Sequence, residues 1–170
     1  MRTVDLPYFD ILLPALERGE PEVSGAFGRH VHWGYWDAQH RPDGSLEDFD
    51  EAAERMSERI CDAGGAGDGQ RILDVGCGLG GTLASLNARF EDVELTGLNI
   101  DPRQLAYASG KVMPRDHNRI DFVEGDACAM PFDAERFDVV LAVECAFHFP
   151  SRARFFAEAA RVLKPGGKLA

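Results

Sequence analysis

The sequence predicts an α/β protein built on an open parallel β-sheet with helices on both faces. Three observations carry that expectation. From Arg71 onward, short apolar runs alternate with helical patterns at spacings that fit strand–helix–strand units. One run, Ile72-Leu-Asp-Val75, opens into the glycine-rich turn Gly76-Cys-Gly-Leu-Gly-Gly81 and then an apolar-periodic segment. Another, Phe137-Asp-Val-Val-Leu-Ala-Val143, is almost unbroken apolar sequence, as a strand covered on both faces requires.

Residues 5–18 place Leu6, Phe9, Leu13 and Leu16 at weak helical spacing, and Pro7 and Pro14 limit any helix there to short pieces. Residues 19–45 show no clear period. Within them, His30-Val-His-Trp-Gly-Tyr-Trp36 is too aromatic to stay solvated and should pack over something. Trp33, Tyr35 and Trp36 are therefore candidates to line a site; ordinary packing under the first long helix is the alternative. Ser45 is placed to N-cap that helix, with Asp48 at the capping-box position. Leu46, Phe49, Ala53, Met56 and Ile60 form its apolar face, Glu47, Glu51, Glu54, Arg55, Glu58 and Arg59 a solvated one, and Gly64-Gly65 ends it. Residues 1–65 read as an N-terminal helical lid, and 66–170 as the α/β domain.

Strands are expected at Arg71–Val75, Val93–Leu98, Ile120–Val123 and Phe137–Val143. Helices are expected at Thr82–Phe90, from Pro102 to about Val112 behind an Asp101 cap, and from Ser151 to Leu163 with Phe155, Phe156, Ala159 and Leu163 along one side. Lys164-Pro-Gly-Gly167 reads as a tight turn, and Lys168-Leu-Ala170 as the start of a fifth strand.

The chain has 170 residues and a formal net charge of -11. That charge argues against a nucleic-acid backbone or an anionic membrane as the main partner, since both require a basic face. There is no apolar run of the roughly 18 residues a membrane span requires, and Met1–Pro7 lacks a secretory apolar region. Cys61, Cys77, Cys128 and Cys145 form no CxxC pair, so inert thiols in a reducing cytoplasm are expected. His30 and His32 form an HxH pair without an evident third ligand, and no metal is expected.

In an open parallel sheet, ligands sit at the carboxyl ends of the strands, where the strand order reverses. Four such ends carry suitable residues. Strand one delivers Asp74 and the glycine loop, strand two Asn99-Ile-Asp101, strand three Gly125-Asp-Ala127, and strand four the stretch from Glu144 to His148. The loop loosely satisfies the G-x-G-x-x-G dinucleotide pattern. Asp74, two residues before the first glycine, would repel a pyrophosphate but favour a ligand with a cationic centre and an ammonium group. S-adenosylmethionine fits that requirement better than a dinucleotide.

Residues 71–170 resemble the class I S-adenosylmethionine-dependent methyltransferase superfamily. Leu73-Asp-Val-Gly-Cys-Gly-Leu-Gly80 resembles its glycine loop, Gly97-Leu-Asn-Ile-Asp-Pro-Arg-Gln104 its ribose segment, and Gly125-Asp-Ala127 its adenine turn. Phe137–Phe149 and Arg161–Gly167 resemble its fourth strand and the turn into its fifth. The texture is similar to the small-molecule branch that includes tocopherol, sterol, sarcosine and sugar or macrolide O-methyltransferases, whose members often carry an element like His32-Trp-Gly-Tyr-Trp36.

The resemblance implies a Rossmann-like fold with S-adenosylmethionine as cofactor and S-adenosylhomocysteine as product. Gly76, Cys77 and Gly78 would pack against the methionine part and Asp74 would hold its ammonium. Asn99 would take the ribose hydroxyls with Gln104 nearby, where many relatives have an acid. Ile100 would cover the adenine, Asp126 would accept from its amino group, and the Ala127 amide would donate to a ring nitrogen. Glu144 closes the set. A small-molecule hydroxyl acceptor needs a base, and His148, at the mouth beyond strand four, is the candidate; simple packing between Phe147 and Phe149 is the other reading.

The family's sheet has seven strands, so the last ones are expected to be missing here. A fragment or truncated form is the favoured explanation, and the uncovered apolar edge of strand four would then invite pairing with a second copy. Two further readings stand beside methyl transfer: a non-catalytic cofactor-binding or interaction module, and a methyltransferase-like fold that uses bound cofactor structurally in a different reaction such as cyclisation.

Overall fold

A computed structural model describes residues 6–170; residues 1–5, the beginning of the expected lid, lie outside it. The elements run α1 (Phe9–Glu17), α2 (Pro21–Phe27), α3 (Leu46–Gly64), β1 (Arg71–Val75), α4 (Gly81–Arg89), β2 (Glu94–Asn99), α5 (Pro102–Lys111), β3 (Arg119–Glu124), β4 (Phe137–Leu141), a 3-10 turn (Ala146–His148), α6 (Arg152–Val162) and β5 (Leu163–Leu169). The five strands form one sheet in the order β3-β2-β1-β4-β5, and every pairing is parallel. Strand order reverses between β1 and β4, which places the ligand crevice above their carboxyl ends.

Alternation along the strands sends side chains to two cores. On one face Ile72, Leu95, Val139 and Leu141 pack with Cys61 of α3, Leu83 and Leu86 of α4 and Leu105 of α5. On the other, Leu73, Val75, Leu98 and Val140 pack with Phe155, Ala159 and Val162 of α6 and with Met130 and Phe132. Helices therefore cover both faces. A third cluster joins Phe9, Leu13 and Leu16 of α1 to Leu79 of the glycine loop, so the N-terminal segment sits directly against the turn after β1.

Several elements differ from expectation. The aperiodic stretch after residue 19 contains a full helix, α2, which opens on Pro21 and buries no residue completely; without a buried stripe it has no period to read. Helix α1 runs through Pro14. The buried stripe of α3 is Ala52, Ala53, Ser57, Cys61 and Gly64, rotated from the expected one, and Leu46 is exposed. Small residues win there because α3 lies close against the sheet: a Cβ on Gly64 would stand 3.0 Å from Val139 Cγ1. Ser45 does cap α3, accepting from the Asp48 amide at 3.1 Å. The Asp48 carboxylate, however, takes Trp36 Nε1 at 2.9 Å. On α6, Phe156 is exposed while Val162 is buried.

The expected turn at Lys164–Gly167 lies within β5, whose register against β4 shifts between Phe137 and Val139. Gly166, at φ +81°, takes up the irregularity. The Ala142 amide donates to Ala170 O and the Ala170 amide to Val140 O, continuing the pairing. Strand β4 is thus flanked by β1 and β5, and the open edge expected at β4 does not exist. No described helix is long and apolar enough to cross a membrane.

Candidate cofactor and acceptor site

One cavity of about 520 Å³ opens above the carboxyl ends of β1, β2 and β4. Asp74, the glycine loop, Asn99, Ile100, Gln104, Asp126, Ala127, Glu144 and His148 all line it. Four separate loops meet there because parallel strands put every βα loop at the same end of the sheet.

Asp74 sits opposite Gly97 of β2 and Leu141 of β4. It is 2% exposed, and its Oδ2 has no hydrogen-bond partner. Burial pushes its carboxyl up to about 7. An unpartnered carboxylate in a low-dielectric wall is costly unless a cation meets it. The glycine loop leaves room for such a ligand. The backbone turns through positive φ at Gly76 (+71°) and Gly78 (+53°), and a Cβ on Gly78 would meet nothing nearer than Gln104 Oε1 at 4.0 Å. At Gly76 the constraint is internal, since a Cβ would come within 2.7 Å of Cys145 Cβ. Cys145 donates its thiol to Val75 O at 2.9 Å, and burial pushes both Cys77 and Cys145 well up, so neither is a nucleophile.

Asn99 and Gln104 are buried and bonded to each other, Asn99 Nδ2 donating to Gln104 Oε1 at 3.1 Å. Asn99 Oδ1 also accepts from the Asp101 amide, and Asp101 caps α5 as expected. Asp126 Oδ1 accepts from the Cys128 amide at 2.7 Å, which holds the turn after β3 in shape. Glu144 stands in the left-handed region at φ +45° and accepts from the Trp33 amide at 3.1 Å. Its carboxylate therefore ties the N-terminal segment to the end of β4.

His148 lies in the 3-10 turn after β4, with Nε2 3.4 Å from the Tyr8 hydroxyl and its ring 4.3 Å from that of Phe147. Burial raises the Tyr8 phenol, so it stays protonated at neutral pH. Of the aromatic candidates, only Trp33 borders the cavity. Tyr35 and Trp36 turn to α3 instead: the Tyr35 ring carries Arg59 at 4.5 Å, and Trp36 bonds Asp48. Trp33 and Trp36 both meet the Phe49 ring of α3 at 6.2 Å, and Trp33 alone of the three also reaches the cavity.

The N-terminal segment adds residues that reading by local pattern passed over. Tyr8, Phe27, Arg29, His30 and His32 all line the cavity. The HxH spacing was the one visible signal among them. His30 bonds Glu54 and His32 bonds Ser57, both on α3. Glu54 thus leaves the solvated face expected for it. Burial pushes its carboxyl up, but hydrogen bonds from His30 and Ser85 and the Arg29 charge more than offset this and leave it below the usual range. Among the described residues no group of three or more His, Cys, Asp or Glu side chains is arranged to hold a metal.

These features outline a candidate site for a nucleotide-type cofactor in a Rossmann-like α/β domain. The chain belongs to the methyltransferase domain family, whose model it matches over residues 73–170, and S-adenosylmethionine is the cofactor of that family. It is 38% identical over 146 residues to the methyltransferase GfsG of Streptomyces halstedii, covering 85% of this chain and 50% of that protein. It is 37% identical to the 27-O-demethylrifamycin SV methyltransferase of Amycolatopsis mediterranei, covering 85% of this chain and 51% of that protein. Among solved structures it is similar to the [4+2]-cyclase SpnF, with a TM-score of 0.75 and 28% identity over 95% of this chain and 55% of that one. The chain spans about half the length of the curated relatives it matches.

Proposed function

We propose that this chain is the cofactor-binding and base-bearing part of an enzyme that methylates a hydroxyl oxygen of a small molecule. The observation that carries the reading is the juxtaposition, in one cavity, of the unpartnered Asp74 carboxylate and the His148–Tyr8 pair. Residues 1–65 serve as the cover and 66–170 as the cofactor-binding part.

The bound cofactor supplies an electrophilic methyl group on a sulfonium. Asp74 fixes the ammonium end in the wall. Gly76, Cys77 and Gly78 let the backbone approach it. Asn99 and Gln104 present amide groups to the ribose from a pair that is already rigid. Ile100 covers the adenine, while Asp126 and the Ala127 amide read its edge. Glu144 contributes indirectly, by holding Trp33 over the mouth. His148 Nε2 takes the acceptor's proton by way of the Tyr8 hydroxyl, which stands 3.4 Å from it. Tyr8 gives up its own proton to Nε2 as it receives the acceptor's, while the new carbon–oxygen bond forms and the carbon–sulfur bond of the sulfonium breaks. Alignment in a walled site supplies much of the acceleration in such a displacement.

Relatives named as O-methyltransferases support oxygen as the acceptor atom. The reducing cytoplasm is the setting that the four free cysteines support. Pairing of two copies through the sheet would have to use the outer edge of β3 or of β5, and sedimentation of the purified chain tests whether it occurs.

Calorimetric titration with S-adenosylmethionine and S-adenosylhomocysteine tests the cofactor reading; no binding at millimolar cofactor sinks it. Transfer of labelled methyl to hydroxyl compounds tests the activity. The likeness to the cyclase SpnF supports one second reading, in which bound cofactor is structural and a different reaction occurs. Tight cofactor binding with no methyl transfer to any phenol, sugar or macrolide offered would favour it.

A further inference from the structure

The exposed large apolar side chains are not spread evenly. Tyr8 is 42% exposed, Trp33 71% and Phe147 62%, and all three border the cavity above β1, β2 and β4. They come from places far apart in the chain: the start of α1, the stretch after α2 and the 3-10 turn after β4. A lone exposed apolar residue is ordinary, but several gathered around one opening mark a surface that a ligand covers.

The local packing shows that these rings are not serving the core. Phe149 turns inward onto Phe155, with ring centroids 4.9 Å apart. Phe147, two positions earlier, stays outside with its ring 4.3 Å from that of His148. The Tyr8 ring lies 6.2 Å from the same imidazole. Trp33 stands nearly perpendicular to Phe49 of α3 at 6.2 Å, and Glu144 holds its amide at 3.1 Å. It is thus fixed in place without being covered. A hydroxyl that reaches Tyr8 and His148 has to come in past aromatic rings.

The two sides of the cavity differ in kind. Asp74, Asn99, Gln104 and Asp126 come from β1, β2, α5 and the turn after β3, and they make the cofactor side polar. The N-terminal segment and the turn after β4 bring the aromatic rings. Charge narrows the class of ligand further. Among the described residues that line the cavity, Arg29 alone carries a fixed positive charge, and Glu54 at 3.1 Å and Ser85 at 3.2 Å already bond it. Glu144 adds a carboxylate to the rim. A carboxylate or phosphate on the acceptor would lose hydration there with no free cation to meet it.

We propose that Tyr8, Trp33 and Phe147 form the acceptor's wall, and that the acceptor is an uncharged hydroxyl compound whose large apolar body stays in the mouth between them. Phe147 and Trp33 then determine specificity, while Tyr8 serves both the wall and the proton path. The proposal rests on the methyl-transfer reading, which supplies the cofactor and the base.

The test offers the whole chain three compounds that share one reacting group: phenol, 4-phenylphenol and 4'-hydroxybiphenyl-4-carboxylate. Methyl transfer from labelled S-adenosylmethionine is read beside calorimetric binding in the presence of S-adenosylhomocysteine. The second ring of 4-phenylphenol should raise kcat/KM and affinity about tenfold or more over phenol, through KM, and the carboxylate should remove that gain. Phe147→Ala and Trp33→Ala should each shrink the preference for 4-phenylphenol about threefold or more, and Phe147→Leu should keep most of it. Equal handling of phenol and 4-phenylphenol would overturn the proposal. So would binding of the carboxylate as tight as that of 4-phenylphenol, a preference untouched by Phe147→Ala and Trp33→Ala, or the absence of binding by all three compounds. Should 4-phenylphenol bind selectively without being methylated, the aromatic wall stands and the methyl-transfer reading falls.

Discussion

The Tyr8 hydroxyl lies 3.4 Å from His148 Nε2, although 140 positions separate the two residues in the chain. The contact closes the N-terminal segment over the carboxyl end of β4 and puts a protonated phenol beside the proposed base. Replacement of His148 by alanine should lower methyl transfer about 100- to 10,000-fold, the usual worth of a general base. Tyr8→Phe should cost as much, since it removes the hydroxyl that relays the proton. Both are read as kcat with saturating cofactor; unchanged turnover of His148→Ala at every pH would remove it as the base.

Asp74 should make cofactor affinity depend on pH. Burial raises its carboxyl from 3.8 to about 7. A cationic ligand prefers the ionised form, so affinity should rise by up to about tenfold per pH unit between pH 5 and 7 and then level off. Titration calorimetry at three pH values reads this directly. Asp74→Asn should flatten the profile and weaken binding at pH 7.5 by about 1.5–3 kcal/mol.

The same raised carboxyl sets a stability profile without ligand. The folded state binds the Asp74 proton more tightly than the unfolded chain does. Below about pH 4 both states are protonated and nothing is lost. Between about pH 4 and 7 this residue should destabilise the fold progressively, by up to about 4 kcal/mol, with no further change above. Urea unfolding at pH 5 and pH 7.5 should show the difference, and Asp74→Asn should abolish it.

Asp126→Ala should weaken S-adenosylhomocysteine binding by about 1–3 kcal/mol if the carboxylate reads the adenine. Its Oδ1 also supports the Cys128 amide, so thermal unfolding must be followed alongside. A fall in affinity larger than the fall in stability assigns the residue to the ligand.

Two glycines should respond in opposite directions. Gly76→Ala forces a Cβ into Cys145 at φ +71° and should destabilise by about 1–3 kcal/mol. Gly110, in α5, has nothing within 4 Å of an added Cβ and no positive φ, so Gly110→Ala should stabilise by about 0.4–1 kcal/mol. Chemical denaturation midpoints check both.

The α/β architecture was legible because its signals are local: the glycine turn after β1, the Asp101-Pro102 helix start, and the apolar run of β4 each announce themselves within a few residues. The gathering of the candidate site residues around one cavity was legible for the same reason, since a parallel sheet carries every strand's carboxyl end to one side. Helix α2 escaped because it buries no complete stripe. The split of the aromatic segment, with Trp33 at the cavity and Tyr35 and Trp36 on α3, could not be seen in a run without a period. The pairing of β5 along β4 was hidden by Pro165-Gly-Gly167, which locally reads as a turn.

Local chemistry in the chain was enough to specify β1 to β4, the glycine turn after β1 and the strand ends that line the cavity. Long-range packing alone brought Tyr8 to His148, drew Glu54 from an apparently solvated face to His30, and set Ser57 between two imidazoles. Hydrogen bonds between residues so distant in sequence leave no spacing to read, because their partners meet only after the sheet and its covering helices have closed.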